Sequence, residues 1–240
     1  MIRPLFLCIS LAALALPAAW ASPVRDGPAT AELIAENTAL APGETRWVGL
    51  LLSPDHGWHV YWRNPGDSGL ATNLDWQLPP GVEAGPIQWP YPHTEELGEL
   101  TNYGYADATL HPVAIRLPAD YGESKITLTA TANWLTCKDI CIPGLADLSL
   151  TLPVSDSPAQ PGPWAPEFEL ARRLLPTAVD WPAQFQLRDG EFQLSLEPPA
   201  GTLSPATTLS FFPYSSTLVA HSAAQAVLRD GATVQLRQAV

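Results

Sequence analysis

Cysteine and basic residues are scarce in this sequence. It contains three cysteines, and its 12 Lys and Arg residues stand against 24 Asp and Glu, which gives a net charge of −12. An acidic chain repels phosphate backbones, so we expect no nucleic-acid partner. Beyond residue 21 no uninterrupted apolar stretch approaches about 18 residues. We therefore predict no membrane span in the mature chain.

The N-terminus has the pattern of an export signal. Arg3 precedes an apolar run from Leu5 to Leu16, and the segment ends on Ala19-Trp20-Ala21. The run is too short to span a bilayer, and the small residues suit a signal peptidase. We predict that residues 1–21 are a signal peptide cleaved near Ala21, which removes Cys8 and leaves two cysteines.

The first half of the mature chain has the features of a β domain. The whole sequence contains 26 prolines and 16 glycines, and in this half such residues separate short apolar or alternating runs. The predicted strands lie at residues 30–37, 47–52, 58–62, 73–78, 108–117, 125–135 and 145–152. This spacing predicts an all-β fold for residues 22–153, an immunoglobulin-like antiparallel β-sandwich, although a barrel gives a similar pattern.

A second, smaller β-rich domain is predicted after a linker. Residues 154–165 are rich in proline and have no periodicity, which is typical of an interdomain linker. In the domain at 166–240, a short helix is predicted at Glu167–Leu175. Hairpins are predicted around Asp189-Gly190 and Asp230-Gly231. The unit is smaller than a sandwich of about 100 residues, which leaves open that it is incomplete.

Cys137 and Cys141 carry the most distinctive chemistry in the sequence. Residues four apart can form a disulfide if the chain between them turns, but such a small ring stabilises the fold by only about 2 kcal/mol. A redox role therefore fits better than a structural bridge, which remains the alternative. Lys138 would favour a thiolate and Asp139 would oppose it.

A metal site is the third possibility for the two thiols. With His59 or His111 they could bind zinc or copper. None of the five histidines has a ligand spacing with the cysteines, so no metal and no cofactor is predicted.

Three stretches resemble the N-terminal periplasmic domain of the DsbD family of thiol:disulfide interchange proteins, particularly its ScsB-like branch associated with copper tolerance. They are Gly57–Leu70 (GWHVYWRNPGDSGL), Gln88–Pro92 (QWPYP), and Trp134-Leu135 leading into Cys-x-x-x-Cys-Ile-Pro. Together they span most of residues 30–153.

The resemblance implies a periplasmic protein-disulfide reductase module without a cofactor. Such a domain receives electrons from a membrane-embedded donor and passes them to thioredoxin-like proteins. It implies that Cys141 is the nucleophile and Cys137 the resolving thiol. The family's transmembrane relay and thioredoxin-like domain do not occur in this sequence, so we expect a separately encoded module, a fragment of a longer protein or a truncated gene product.

The resemblance also implies an aromatic cap over the sulfurs, on a loop matched by Leu100–Tyr105. Tyr103 is the best candidate for the cap, although Tyr103 or Tyr105 could equally pack in the core. Separately, alternation puts Trp58, Val60 and Trp62 on one face, assigned to the core. It puts His59 and Tyr61 on the other, at the rim of the active site. The competing hypotheses are a non-catalytic adaptor with a structural disulfide and copper-related metal binding by the thiols.

Overall fold

A computed structural model describes residues 22–204 and 206–240 of the protein. The predicted signal peptide, residues 1–21, lies outside the described residues. No helix in this part of the chain has the length and apolar character needed to cross a membrane.

Eleven strands make up the N-terminal part of the fold. In chain order they are β1 (Val24–Asp26), β2 (Ala29–Ala35), β3 (Thr45–Pro54), β4 (His59–Gly66), β5 (Asn73–Gln77), β6 (Glu83–Ala84), β7 (His93–Leu97), β8 (Leu100–Tyr105), β9 (Thr109–Arg116), β10 (Lys125–Cys137) and β11 (Cys141–Pro153).

These strands form two antiparallel sheets packed face to face. One sheet has the order β1-β2-β3-β9-β6; the other has the order β11-β10-β4-β8-β7, with β5 also pairing with β10. Alternate residues of both sheets turn inward and form one apolar core, with Leu50 and Ile115 from the first sheet and Trp62 and Leu128 from the second. The predicted all-β class is confirmed, and the two separate sheets form a sandwich, not a barrel.

The structure also shows strands where none was predicted. Residues 100–105, expected to form a loop, are strand β8, which pairs with both β4 and β7. Strand β7 contains the adjacent charged residues Glu95 and Glu96, which interrupt the alternation of apolar and polar residues by which a strand is predicted. The short strands β1 and β6 were also not predicted.

The C-terminal part consists of one helix and a four-stranded sheet. These elements are α1 (Ala165–Leu174), β12 (Ala183–Arg188), β13 (Glu191–Leu196), β14 (Ala226–Asp230) and β15 (Thr233–Ala239), with sheet order β12-β13-β15-β14. The predicted helix and both predicted hairpins are present. At the first turn Asp189 and Gly190 both have positive φ, 55° and 78°, as a type I′ turn requires.

The proline-rich segment and α1 lie against the first sheet. The Gly162 N–H donates to the Glu36 carbonyl, and the Thr38 N–H donates to the Gln160 carbonyl. Phe168 and Ala171 of α1 are buried against the outer face of this sheet, in a cluster that includes Ile34 and Leu110. The helix that the sequence placed in the second domain therefore contacts the first.

A segment of the C-terminal part closes one side of the sandwich core. The Phe212 ring packs 5.1 Å from the Tyr103 ring and 6.3 Å from the Trp62 ring. Nearby, the Asn64 Nδ2 donates to the Pro213 carbonyl at 2.8 Å. The two parts of the molecule thus share apolar contacts.

Candidate functional site

The two cysteines lie at the end of the longest hairpin in the sandwich. Strands β10 and β11 pair along 13 positions, and the last pair is Cys137 with Cys141. Their Cα atoms are 4.2 Å apart and the sulfurs form a disulfide. The Lys138 N–H donates to the Ile140 carbonyl at 3.1 Å and closes the turn. The hairpin register alone therefore brings the sulfurs together.

The two sulfurs differ in accessibility. Cys137 is fully buried, because it lies between Cys141 on one neighbouring strand and His59 on the other. Cys141 is exposed, since β11 is the edge strand of its sheet. An incoming thiolate can thus reach Cys141 more readily than Cys137, which matches the order of attack expected of a nucleophilic and a resolving cysteine.

Tyr61 is the aromatic residue beside the sulfurs. It is fully buried two residues beyond His59 on β4, and its hydroxyl lies 3.6 Å from the Cys141 Sγ. Burial raises the pKa of the Tyr61 hydroxyl, and a hydrogen bond with Ser68 opposes that shift. The hydroxyl keeps its proton at neutral pH, so it can donate to a thiolate on Cys141 once the disulfide is reduced.

The loop after β4 covers the Tyr61 ring. A Cβ on Gly69 would lie 2.3 Å from two ring carbons, so only glycine allows this approach. The loop is held by the buried Asn102, whose Oδ1 accepts hydrogen bonds from both the N–H and the hydroxyl of Ser68 at 3.0 Å. Sequence reasoning missed the roles of Ser68, Gly69 and Asn102.

His59 lies directly opposite Cys137. Its ring packs edge-on against Tyr61 at 5.1 Å, and its Nε2 has no hydrogen-bond partner. Burial lowers the pKa of His59, so the imidazole is neutral at pH 7. It therefore supplies no positive charge to the sulfurs.

Tyr103 and Tyr105 lie on the opposite, core-facing side of the sheet. The Tyr103 hydroxyl donates to the Nδ1 of His221 at 3.2 Å, and burial raises the Tyr103 pKa to about 12. The Tyr105 hydroxyl donates to the Pro90 carbonyl at 2.7 Å. Of the four residues predicted at the rim, the structure brings His59 and Tyr61 to the cysteines. It places Tyr103 and Tyr105 in the core.

The histidines considered as metal ligands are separated from each other. His59 borders the disulfide, whereas His111 is buried on β9 in the other sheet. Within residues 22–204 and 206–240, no group of three or more His, Cys, Asp and Glu side chains has a metal-binding arrangement.

Exposed apolar side chains lie in the turn next to Cys141, farther along its strand, and on the loop that covers Tyr61. Ile140 precedes Cys141 and is 64% exposed, and Leu145 lies on the same face of β11 and is 55% exposed. Leu70, next to the glycine that covers Tyr61, is also exposed. Exposed apolar groups around a reactive atom are typical of a protein-docking surface.

The fold and this site can be compared with known proteins. The crystal structure of the N-terminal periplasmic domain of ScsB from Proteus mirabilis is similar with a TM-score of 0.63 and 19% identity. The match covers 88% of this chain and 79% of that chain, and it confirms the immunoglobulin-like fold. A structure titled for AvmM, which catalyses macrocyclization in alchivemycin A biosynthesis, has a TM-score of 0.24 and 9% identity over 56% of this chain and 93% of that chain. No curated protein sequence matches.

A family model matches the sequence directly. The model described as "Thiol:disulfide interchange protein DsbD, N-terminal" matches residues 30–153, which include β2 to β11 and both cysteines. The chain therefore belongs to the family of DsbD N-terminal domains.

Proposed function

We propose that this protein is a periplasmic thiol:disulfide interchange module. It passes electrons through Cys137 and Cys141 to thioredoxin-like partners, and a membrane-embedded donor of the DsbD type reduces it. The observation that carries the proposal is an exposed Cys141 paired with a fully buried Cys137 in a member of this family. The predicted export signal supports the periplasmic location.

The exchange proceeds in two balanced steps. The thiolate of reduced Cys141 attacks one sulfur of the partner's disulfide; a mixed disulfide forms, and the partner's other sulfur leaves as a thiolate and takes up a proton. Cys137 then loses its proton and attacks the Cys141 Sγ, which restores the Cys137–Cys141 disulfide and releases the partner as a dithiol. Two electrons pass to the partner, and the donor's dithiol returns them by attacking Cys141.

The neighbouring side chains support this sequence. The Tyr61 hydroxyl stabilises the Cys141 thiolate. The apolar rim of Leu70, Ile140 and Leu145 gives a partner a surface to dock on while the sulfurs react.

Trapping the mixed disulfide tests the proposal. In a Cys137→Ala variant the resolving thiol is missing, so reduced Cys141 should form a stable mixed disulfide with an oxidised thioredoxin-like protein. Non-reducing electrophoresis and mass spectrometry would detect it. The Cys141→Ala variant is the matched control and should trap little, because Cys137 is buried. If neither variant captures the partner, the proposal is wrong.

A redox titration separates this function from a structural disulfide. We expect the Cys137–Cys141 couple to equilibrate with glutathione at a midpoint above about −300 mV. A lower midpoint, with no reaction toward protein disulfides, would identify a structural bridge in an adaptor domain.

A further inference from the structure

A second concave site lies along the free edge of β5. This strand pairs with β10 through residues 73–77, and no strand of the described residues pairs with its other edge. A cleft of about 680 Å³ runs between this edge, residues 85–89 and Tyr214. Its volume is in the range of ligand-binding pockets.

The walls of the cleft are aromatic and fixed in place. Trp76 and Trp89 are half-buried on two of the walls. The Trp89 ring packs edge-on against His111 at 5.2 Å, and the Tyr214 ring lies 5.6 Å from Trp62. Because these rings are held by the core, the cleft offers preformed apolar surfaces to a ligand's side chains.

Arg63 provides the only charge on these walls among the residues that the structure describes. Its Cζ lies 4.1 Å from the centre of the Tyr214 ring, and none of the salt bridges in the described residues involves it. The guanidinium is thus oriented by the ring while its N–H donors remain available to a carboxylate. This is notable in a chain with a net charge of −12.

Thr72 borders the cleft, but its hydroxyl is not accessible from it. The residue is only 3% exposed, and its Oγ1 is buried. A molecule in the cleft therefore meets Arg63 and the aromatic walls, not the Thr72 hydroxyl.

We propose that this cleft binds an extended, acidic peptide segment of a partner protein. The segment pairs with the free edge of β5, places a carboxylate on Arg63 and inserts apolar side chains between Trp76 and Trp89. A peptide fits better than a small molecule because the outward N–H and C=O groups of β5 can form main-chain hydrogen bonds with it.

The cleft is distinct from the cysteine site. Asn73, at the start of β5, pairs with Asn133, which precedes Cys137 by four residues on β10. At the rise of a β-strand this separation is about 13 Å. The peptide can therefore bind without touching the disulfide, and its binding does not depend on thiol exchange.

Selection from a phage-displayed library of random heptapeptides tests the proposal without assuming a sequence. The oxidised wild-type protein and its Arg63→Gln, Thr72→Val and Arg188→Gln variants serve as targets. Arg188→Gln is the matched control, because Arg188 is exposed at the far end of β12. We expect wild type and Arg188→Gln to enrich peptides with Asp or Glu beside alternating apolar residues, and Arg63→Gln not to enrich them.

A synthetic peptide of the enriched sequence then gives the affinities. Its dissociation constant should rise about ten-fold when its acid becomes the amide, and by a similar factor in Arg63→Gln. Thr72→Val should bind like wild type, because the Thr72 hydroxyl is not accessible from the cleft, and amide hydrogen exchange in β5 should slow on binding. The amide peptide provides a test that does not depend on whether a variant folds.

Three results would overturn the proposal. They are no enrichment on wild type, equal enrichment on Arg63→Gln, and binding of the small carboxylate 3-phenylpropanoate without binding of any peptide. The last result would identify a small-molecule site.

Discussion

The hydroxyl of Tyr61 lies next to the Sγ of Cys141. It lies 3.6 Å from the Cys141 Sγ, and the ring is held between His59 and the Gly69 loop. A donor fixed in this way stabilises the charged form of the sulfur more than the neutral form. We therefore propose that Tyr61 positions and activates Cys141 without itself reacting.

Replacing this hydroxyl should slow the reaction of Cys141. In a Cys137→Ala background, where Cys141 is the only thiol among residues 22–240, Tyr61→Phe should reduce the rate of alkylation by iodoacetamide at pH 7 about three- to ten-fold. In the variant a smaller fraction of Cys141 is in the thiolate form. This loss slows alkylation more than the higher nucleophilicity of a more basic thiolate speeds it. The rate should be measured against pH, and the midpoint of the profile should move upward.

Tyr91→Phe is the control for this change. Tyr91 is 47% exposed, and none of its hydroxyl contacts involves the cysteines. Equal alkylation profiles for Tyr61→Phe and the parent protein would show that the Tyr61 hydroxyl does not act on Cys141.

His111 should make the fold sensitive to acid. It is fully buried, and burial lowers its pKa to about 4 from 6.5. Above pH 6.5 the ring is neutral in both folded and unfolded states. Between pH 6.5 and 4 only the unfolded state binds the proton, so the free energy of unfolding falls as the pH falls, by up to about 3 kcal/mol.

Urea denaturation of His111→Leu at pH 7.5 and pH 4.5 measures this contribution. The variant should lose less stability than wild type between the two pH values. His56→Leu, at an exposed position, should follow wild type. A difference between wild type and His111→Leu that stays constant with pH would contradict the assignment.

Among the elements, the hairpin of β10 and β11 determines the geometry of the site. The sequence patterns predicted that β10 ends at residue 135 and that β11 begins at residue 145. In the structure β10 continues to Cys137 and β11 begins at Cys141. Pro143 lies within β11 and normally argues against a strand. It is accommodated because β11 is an edge strand, an arrangement that depends on the whole sheet and cannot be read locally.

Gly144 is the position where this hairpin tolerates no side chain. It pairs with Trp134, and a Cβ there would lie 2.2 Å from the Trp134 Cε2. Gly144→Ala should therefore lower the free energy of unfolding by about 1–3 kcal/mol, because the indole must leave its place in the core. Chemical denaturation measures the loss.

Gly122→Ala is the matched control for this substitution. A Cβ on Gly122 would meet no atom within 4 Å, so its effect should stay within about 0.5 kcal/mol. Similar effects at both positions would show that the Trp134 contact is unimportant.

At the scale of the whole molecule, the C-terminal part is joined to the sandwich by its aromatic contacts. Phe212→Ala removes the ring that packs on Tyr103 and Trp62 and should cost about 2 kcal/mol. Calorimetry should show one unfolding transition for wild type and two for the variant. Phe185→Ala, at a ring that is 71% exposed, should leave the single transition intact. Two transitions in wild type would mean that the parts unfold independently.

Contacts between distant parts of the chain explain why some side chains could be placed from the sequence and others could not. Alternation placed Trp58, Val60 and Trp62 inward and His59 and Tyr61 outward, because a strand has a period of two. Val60 and Trp62 are in the core, whereas Trp58 precedes β4 and is only partly buried. Tyr103 could not be placed in this way. Its environment is formed by Phe212 and His221, more than a hundred residues later in the chain. Such contacts leave no local pattern in the sequence.

Helix α1 also affects where the chain can be truncated. The family match ends at residue 153, and a fragment cut there would keep β1 to β11. It would lack α1, so Ile34 and Leu110 would be exposed as an apolar patch on the outer face of the first sheet. We therefore propose that a fragment ending at residue 153 aggregates more readily than one ending at Leu175, because both lose the Phe212 contacts with Tyr103 and Trp62 but only the shorter one also loses α1.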